Sequence, residues 1–191
     1  MKVDSCFIID YNILNWILFG GIMKKIFRPT IEVKNIDAIN FESFYQQGYD
    51  NIILDIDNTI VPWNNHIADK TLHQKIIDIK EIGFNICLLS NNSSSTRVHA
   101  LAEDLNILAV PKGMKPLPIG FKKALKQLDA DKNTTLVIGD QIFTDVLGGN
   151  IMGMTTILVE PISKDEFIGT RFVRILERVF AGRRIEDGYR H

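Results

Sequence analysis

Five short apolar runs punctuate the chain, and their unbroken character limits its fold more than any other feature. They are Asn51–Asp55, Asn85–Ser90, Ile107–Val110, Thr135–Asp140 and Thr155–Val159. A strand with one wet face alternates apolar and polar residues, whereas these runs are continuous, as in strands buried on both faces of a parallel sheet. Parallel neighbours need a crossover, and a helical pattern lies between most successive runs. Ile67–Ile82 sets Leu72, Ile76 and Ile79 on one face and stops before Gly83. Ser95–Leu105 offers serines as N-caps and Val98, Leu101 and Leu105 as its stripe. Pro118–Leu128 opens on proline, a residue suited to a first helical turn, and Thr144–Met152 is a shorter candidate. The expectation is an α/β fold built on a doubly wound, parallel, five-stranded sheet.

The chain of 191 residues is long enough for one full core with a short appendage. Its net charge of −1 and its 46% hydrophobic content exclude a disordered chain. Nothing in that balance suggests nucleic acid as a partner. Cys6 and Cys87 lie far apart, which excludes a disulfide framework and a four-cysteine zinc site. Cys87 falls within an apolar run and reads as a small buried thiol, in keeping with a reducing, cytoplasmic compartment.

The two ends differ from the middle. Residues 6–22 are apolar but interrupted by Asp10, Asn12 and Asn15, a poor fit to a spanning helix. Asp4 and the lack of a small-residue cleavage pattern argue against a secretory signal. The stretch reads as an extension outside the domain, with Met23 as an alternative start. The competing reading is an interfacial anchor backed by Lys24, Lys25 and Arg28. At the other end, Arg171–Arg184 carries five arginines and one glutamate, with Phe172, Ile175, Leu176 and Val179 at helical spacing. It reads as a surface helix with a solvated basic face, or else as contact with an anionic membrane or a phosphate-rich partner.

Chemistry collects at the ends of the apolar runs. The first run ends in Asp55-Ile56-Asp57-Asn58-Thr59, and the fourth ends at Asp140 with Asp145 one turn further on. In an open parallel sheet these positions form the carboxyl edge, where ligands bind. Carboxylates gathered in one crevice repel each other, so either some are protonated or a hard cation neutralises them. Oxygen donors without nearby His or Cys select Mg²⁺ rather than zinc. Ser90-Asn91-Asn92 closes the second run with a hydroxyl and amides that suit an anionic oxygen. Lys115 adds a compact positive charge after the third. Each feature alone is commonplace, but their joint occurrence in this order at successive strand ends is specific.

Taken together, the motifs resemble those of the haloacid dehalogenase (HAD) superfamily of aspartate-based phosphatases, over roughly residues 23–180. Asp55-Ile56-Asp57-Asn58-Thr59 is similar to that family's first motif, Ser90 to its second, Lys115 to its third, and Gly139-Asp140 with Asp145 to its fourth. The runs LDIDNTIVPW, LLSNN, PKGMKP and IGDQIFTDVLGGNIMGMTTILVEP resemble one branch, the YqeG family, similar to phosphatidylglycerophosphate phosphatases of mitochondria and plastids. The resemblance implies a single HAD-like phosphatase domain over 23–191 and leaves 1–22 unassigned. It implies that Asp55 attacks phosphorus and that Asp57 protonates the leaving oxygen and then activates water. It further implies that Thr59, Ser90, Asn91 and Lys115 bind phosphate. Asp55, the Asp57 carbonyl, Asp140 and Asp145 would hold Mg²⁺.

HAD enzymes with a cap domain insert it after the first motif or between the second and third. Only 32 residues lie between Asp57 and Ser90, and 24 between Ser90 and Lys115, enough for one helix and one strand each. A capless, open site is expected. Such a site suits a phosphorylated head group on a membrane surface, approached by a cytoplasmic protein peripheral to the inner face. The alternatives are a general phosphatase for phosphoproteins, nucleotides or sugar phosphates, a non-catalytic binding protein on the same fold, and a receiver domain phosphorylated on Asp55.

Overall fold

The computed structural model describes residues 25–62 and 67–163, so the apolar N-terminal stretch and Arg171–Arg184 lie outside the described residues. Six strands form one sheet: β1 (Ile31–Val33), β2 (Asn51–Leu54), β3 (Asn85–Leu89), β4 (Leu108–Val110), β5 (Thr135–Gly139) and β6 (Thr155–Val159). Every pairing is parallel, in the order β1-β6-β5-β2-β3-β4. The five expected strands are all present, and the count of five is corrected to six by β1. That strand is three residues long, sits at the edge and is largely exposed, so it lacks the continuous apolar signal of an interior strand. Thr30 fixes its start: its backbone N–H donates to the Thr156 carbonyl at 3.0 Å.

Five α-helices lie wholly within the described residues: α1 (Phe41–Gln46), α2 (Lys70–Ile82), α3 (Ser95–Asp104), α4 (Pro118–Leu128) and α5 (Leu147–Met152). The expected start of α2 at Ile67 moves to Lys70 because the Asp69 carboxylate accepts from the Leu72 N–H at 2.8 Å. Ser94 caps α3 in the same way through the Arg97 N–H. The expected Thr144–Met152 helix is two pieces, a π-turn over Ile142–Val146 followed by α5.

Successive residues of each interior strand point to opposite faces and so feed two separate cores. Ile52, Leu54, Ile86, Leu88, Leu136 and Ile138 pack with Leu72, Ile76 and Ile79 of α2 and Val98 and Leu101 of α3. Ile53, Cys87, Leu89 and Val137 pack with Phe121, Ala124 and Leu128 of α4 on the other side. This two-sided burial is why the runs read as unbroken. The Cys87 thiol, buried in the second core, is pushed up to about 12 by desolvation. It is the small buried thiol expected from sequence.

The chain moves outward from β2 through β3 to β4, then returns to the other side of β2 as β5. The crevice between the carboxyl ends of β2 and β5 is thus the point where direction reverses. Between Asp57 and Ser90 lie α2 and β3, and between Ser90 and Lys115 lie α3 and β4. No cap domain stands over the crevice among the described residues. No helix among them is long and apolar enough to cross a membrane.

One close approach holds the loop before α4. A Cβ on Gly120 would lie 2.0 Å from the Gly113 carbonyl oxygen, a backbone atom with little room to yield. Gly120→Ala is expected to cost about 3 kcal/mol of stability, read as a lower urea midpoint with an unchanged m-value.

Candidate active site

The first acidic motif begins where the sheet ladder ends. The Asp55 N–H still donates to the Ile138 carbonyl at 2.9 Å, fixing the side chain at the β2–β5 seam. A tight turn follows: Asp57 bridges to Val61, and Asn58 adopts φ 63°. Thr59, buried within this turn, lies 3.0 Å from Asp55 Oδ2 and 3.3 Å from Asp140 Oδ1, so its hydroxyl links the two carboxylates.

Lys115 reaches the same point from the loop after β4. Its Nζ donates to Asp55 Oδ1 at 2.5 Å and to Asp145 Oδ1 at 2.6 Å, and all three side chains are buried. Asn91 holds the lysine main chain from both sides. Its Nδ2 donates to the Lys115 carbonyl at 2.9 Å, and the Lys115 N–H donates to its Oδ1 at 2.7 Å. The expectation that Asn91 binds phosphate therefore meets a different geometry, since both amide heavy atoms engage Lys115. The Ser90 hydroxyl accepts from the Asn92 N–H at 3.0 Å and is almost fully buried at the end of β3.

Asp145 is aimed by the turn that carries it. The Gln141 N–H and the Thr144 hydroxyl both donate to Oδ2 at 3.2 Å. A Cβ on Gly139 would meet the Asp145 carboxyl carbon at 2.3 Å, so the carboxylate occupies space that any side chain there would need. Gly139→Ala is expected to push Asp145 off Lys115. Activity should fall at least tenfold and the melting temperature by several degrees, measured on the same preparation.

Asp55, Asp140 and Asp145 bring carboxylate oxygens within 4.8 Å of one another. The Asp57 carboxylate is not part of that cluster. Three carboxylates face one ammonium, and the imbalance appears in the acidities of Asp55 and Asp140. Burial pushes Asp55 up to about 6 even though Lys115 opposes the shift, with Asp145 adding repulsion. Burial pushes Asp140 up to about 8, reinforced by Asp55 and Asp145. For Lys115 burial works against the charge, but Asp145 and Asp55 outweigh it and its pKa rises. An all-oxygen donor set with surplus negative charge fits a hard divalent cation.

These shifts have a definite sign. A carboxylate whose pKa is raised on folding holds its proton in the native state at pH values where the unfolded chain has lost it. Stability therefore falls as pH rises, across the window from about 4 to 6 for Asp55 and on to about 8 for Asp140. Without divalent cations the melting temperature should be lower at pH 8.5 than at pH 5.5. Millimolar Mg²⁺ should recover most of the difference, and thermal scans at both pH values check this.

Spacing in the sequence did not reveal Arg97. It lies in the first turn of α3, and its Nη2 donates to Asp57 Oδ1 at 2.6 Å. Asn92 Nδ2 approaches Asp57 Oδ2 at 3.5 Å. The available signal was an arginine three residues after a capping serine, directly following a motif strand.

Comparison with known proteins agrees with this arrangement. The HAD-hydrolase-like family profile matches residues 114–161, the segment carrying Lys115, Asp140 and Asp145. An uncharacterized protein from Listeria monocytogenes superposes with a TM-score of 0.51 at 19% identity, covering 62% of this chain and 84% of that one. One from Corynebacterium glutamicum gives 0.50 at 16% identity, covering 74% and 100%. At these identities the likeness concerns the fold. Together with the homologies, the sheet and the carboxylate–lysine cluster at its switch point define a HAD-type phosphatase. The chain is 39% identical over 156 residues to the Bacillus subtilis protein named probable phosphatase YqeG, covering 82% of this chain and 90% of that protein. It belongs to the YqeG family. Phosphatidylglycerophosphate phosphatase 1, chloroplastic/mitochondrial, of Arabidopsis thaliana is 27% identical over 170 residues. That match covers 84% of this chain and 49% of the plant protein, so the chain spans about half of its length.

Proposed function

We propose that the protein is a Mg²⁺-dependent phosphomonoester hydrolase working through an aspartyl-phosphate, with phosphatidylglycerophosphate or a similar lipid phosphate as substrate. The observation that carries the catalytic part is the buried placement of Asp55 between Lys115, Asp140 and Asp145 at the β2–β5 seam. Asp55 attacks phosphorus while the bond to the alcohol oxygen breaks. Asp57, two residues on, gives that oxygen its proton and then takes one from the water that hydrolyses the acyl phosphate. Lys115 and Ser90 receive the phosphoryl oxygens, and electrostatic stabilisation there supplies most of the rate. Thr59 ties Asp55 to Asp140, and Asn91 sets the height of Lys115 through its main chain. Asp55, Asp140, Asp145 and the Asp57 carbonyl would hold Mg²⁺, which when bound offsets the clustered negative charge and polarises the phosphate.

The lipid assignment rests on the Arabidopsis relative and on the open crevice. The basic stretch Arg171–Arg184 suits docking of a cytoplasmic protein on an anionic leaflet, where each Lys or Arg contributes about 1 kcal/mol. The test compares phosphatidylglycerophosphate in mixed micelles with glycerol 3-phosphate and nucleotides. The expected result is a much larger kcat/KM for the lipid, reduced on replacing Arg174 and Arg178. A larger value for any soluble ester defeats the lipid assignment and favours a general phosphatase. Phosphate release that EDTA does not abolish defeats the Mg²⁺ dependence.

A further inference from the structure

Arg97 and Asp57 form a pair whose side chains are only 11% and 10% exposed. Helix stability does not account for it. Arg97 lies in the first turn of α3, where a cation opposes the positive end of the helix dipole, and no acid in that turn offsets it. Core stability does not account for it either, since a pair so far withdrawn from water rarely regains its desolvation cost.

Position is the remaining explanation. Lys115 is already engaged by Asp55 and Asp145. Arg97 instead lies against Asp57, the group that meets the leaving oxygen, and so borders the alcohol part of the substrate. With α2–β3 and α3–β4 filling the intervals where a cap would be inserted, recognition of that alcohol falls to side chains on this rim. A guanidinium is suited to the task because its planar fork matches phosphate and carboxylate oxygens.

We infer that Arg97 is a specificity-determining residue that recognises a second anionic group on the leaving alcohol, exchanging Asp57 for that group when substrate binds. The substrate class is a phosphomonoester whose alcohol carries a further phosphate, phosphodiester or carboxylate. This rests on the phosphomonoesterase reading above and narrows it. The shared chemistry has two sources, the phosphodiester of a lipid head group and the second phosphate of a soluble bisphosphate.

Three soluble esters separate the possibilities: propanediol monophosphate, propanediol bisphosphate, and propanediol monophosphate carrying a methyl phosphodiester on its other hydroxyl. The wild type should turn over the two doubly charged esters with kcat/KM roughly ten- to a hundredfold above the monophosphate, the range of a charge-assisted hydrogen bond. Arg97→Ala should bring that ratio close to one, mainly through KM, and Arg97→Lys should restore part of it. A higher value for the phosphodiester arm identifies the lipid-type group, and a higher value for the bisphosphate identifies the soluble type. Should Arg97→Ala fail to fold by circular dichroism, the ratio in Arg97→Lys decides alone. An Arg97 variant that slows all three esters by one factor, with the ratio intact, overturns the inference and leaves the phosphatase reading standing. A wild type inactive on all three esters and on the lipid overturns the phosphatase reading itself.

Discussion

Asp55→Asn is expected to lower phosphomonoester turnover by at least about a thousandfold, because an amide oxygen is too weak a nucleophile toward phosphorus. Fold and stability should not suffer. The change is nearly isosteric, and it removes a carboxylate whose charge is disfavoured by burial and by Asp145. At pH 8 without metal the variant should melt no lower than the wild type, a result that separates lost chemistry from lost structure. Rapid quench with labelled substrate should show phosphoenzyme in the wild type and none in the variant. Wild-type turnover in Asp55→Asn would remove Asp55 from the mechanism.

Lys115→Met should differ from this, with both activity and stability failing. The substitution strips Asp55 and Asp145 of their shared ammonium while leaving both carboxylates buried. Breaking a buried pair by deleting one partner costs about 3–5 kcal/mol, and losing the charge at the phosphoryl position costs about 10²–10³ in kcat. Lower pH should recover stability in this variant, since protonating Asp55 and Asp140 removes part of the exposed repulsion. Adding Asp55→Asn to Lys115→Met should recover stability as well, but no activity. Chemical denaturation at pH 5.5 and pH 8.5, with and without the second substitution, checks the stability statements, and phosphate release checks the activity.

The interior of the fold was legible because burial on two faces leaves an unmistakable trace. Residues such as Ile52-Ile53-Leu54 feed both cores at once, so β2, β3, β5 and β6 stand within about a residue of their expected limits. The edge was not legible, since Ile31-Glu32-Val33 packs weakly and draws its definition from the β6 backbone and from Thr30. Nor was the short helix there, where α1 depends on Phe41 and Tyr45 meeting Phe84, a ring about forty residues away. In the site, Asp55, Asp57, Ser90, Lys115 and Asp140 were legible because strand ends fix where a side chain begins. Arg97 was not, because a helix start says little about where a long side chain finishes, and the grip of Asn91 on the Lys115 main chain was not readable from a loop sequence.

The turn that follows Asp57 does more than shape the rim of the crevice. Asn58, the next residue, accepts the Ile162 N–H on its carbonyl at 2.9 Å and the Ser163 hydroxyl on its side-chain oxygen at 2.9 Å. Residues 162 and 163, just beyond β6, are thus moored to the residue next to Asp57. A load applied there acts on a short lever arm. Tension on Ser163 would be passed to the Asn58 turn through these two hydrogen bonds. A surface, bead or fusion partner attached just after Ser163 would therefore pull on the turn beside Asp57, with the sheet serving as the mount.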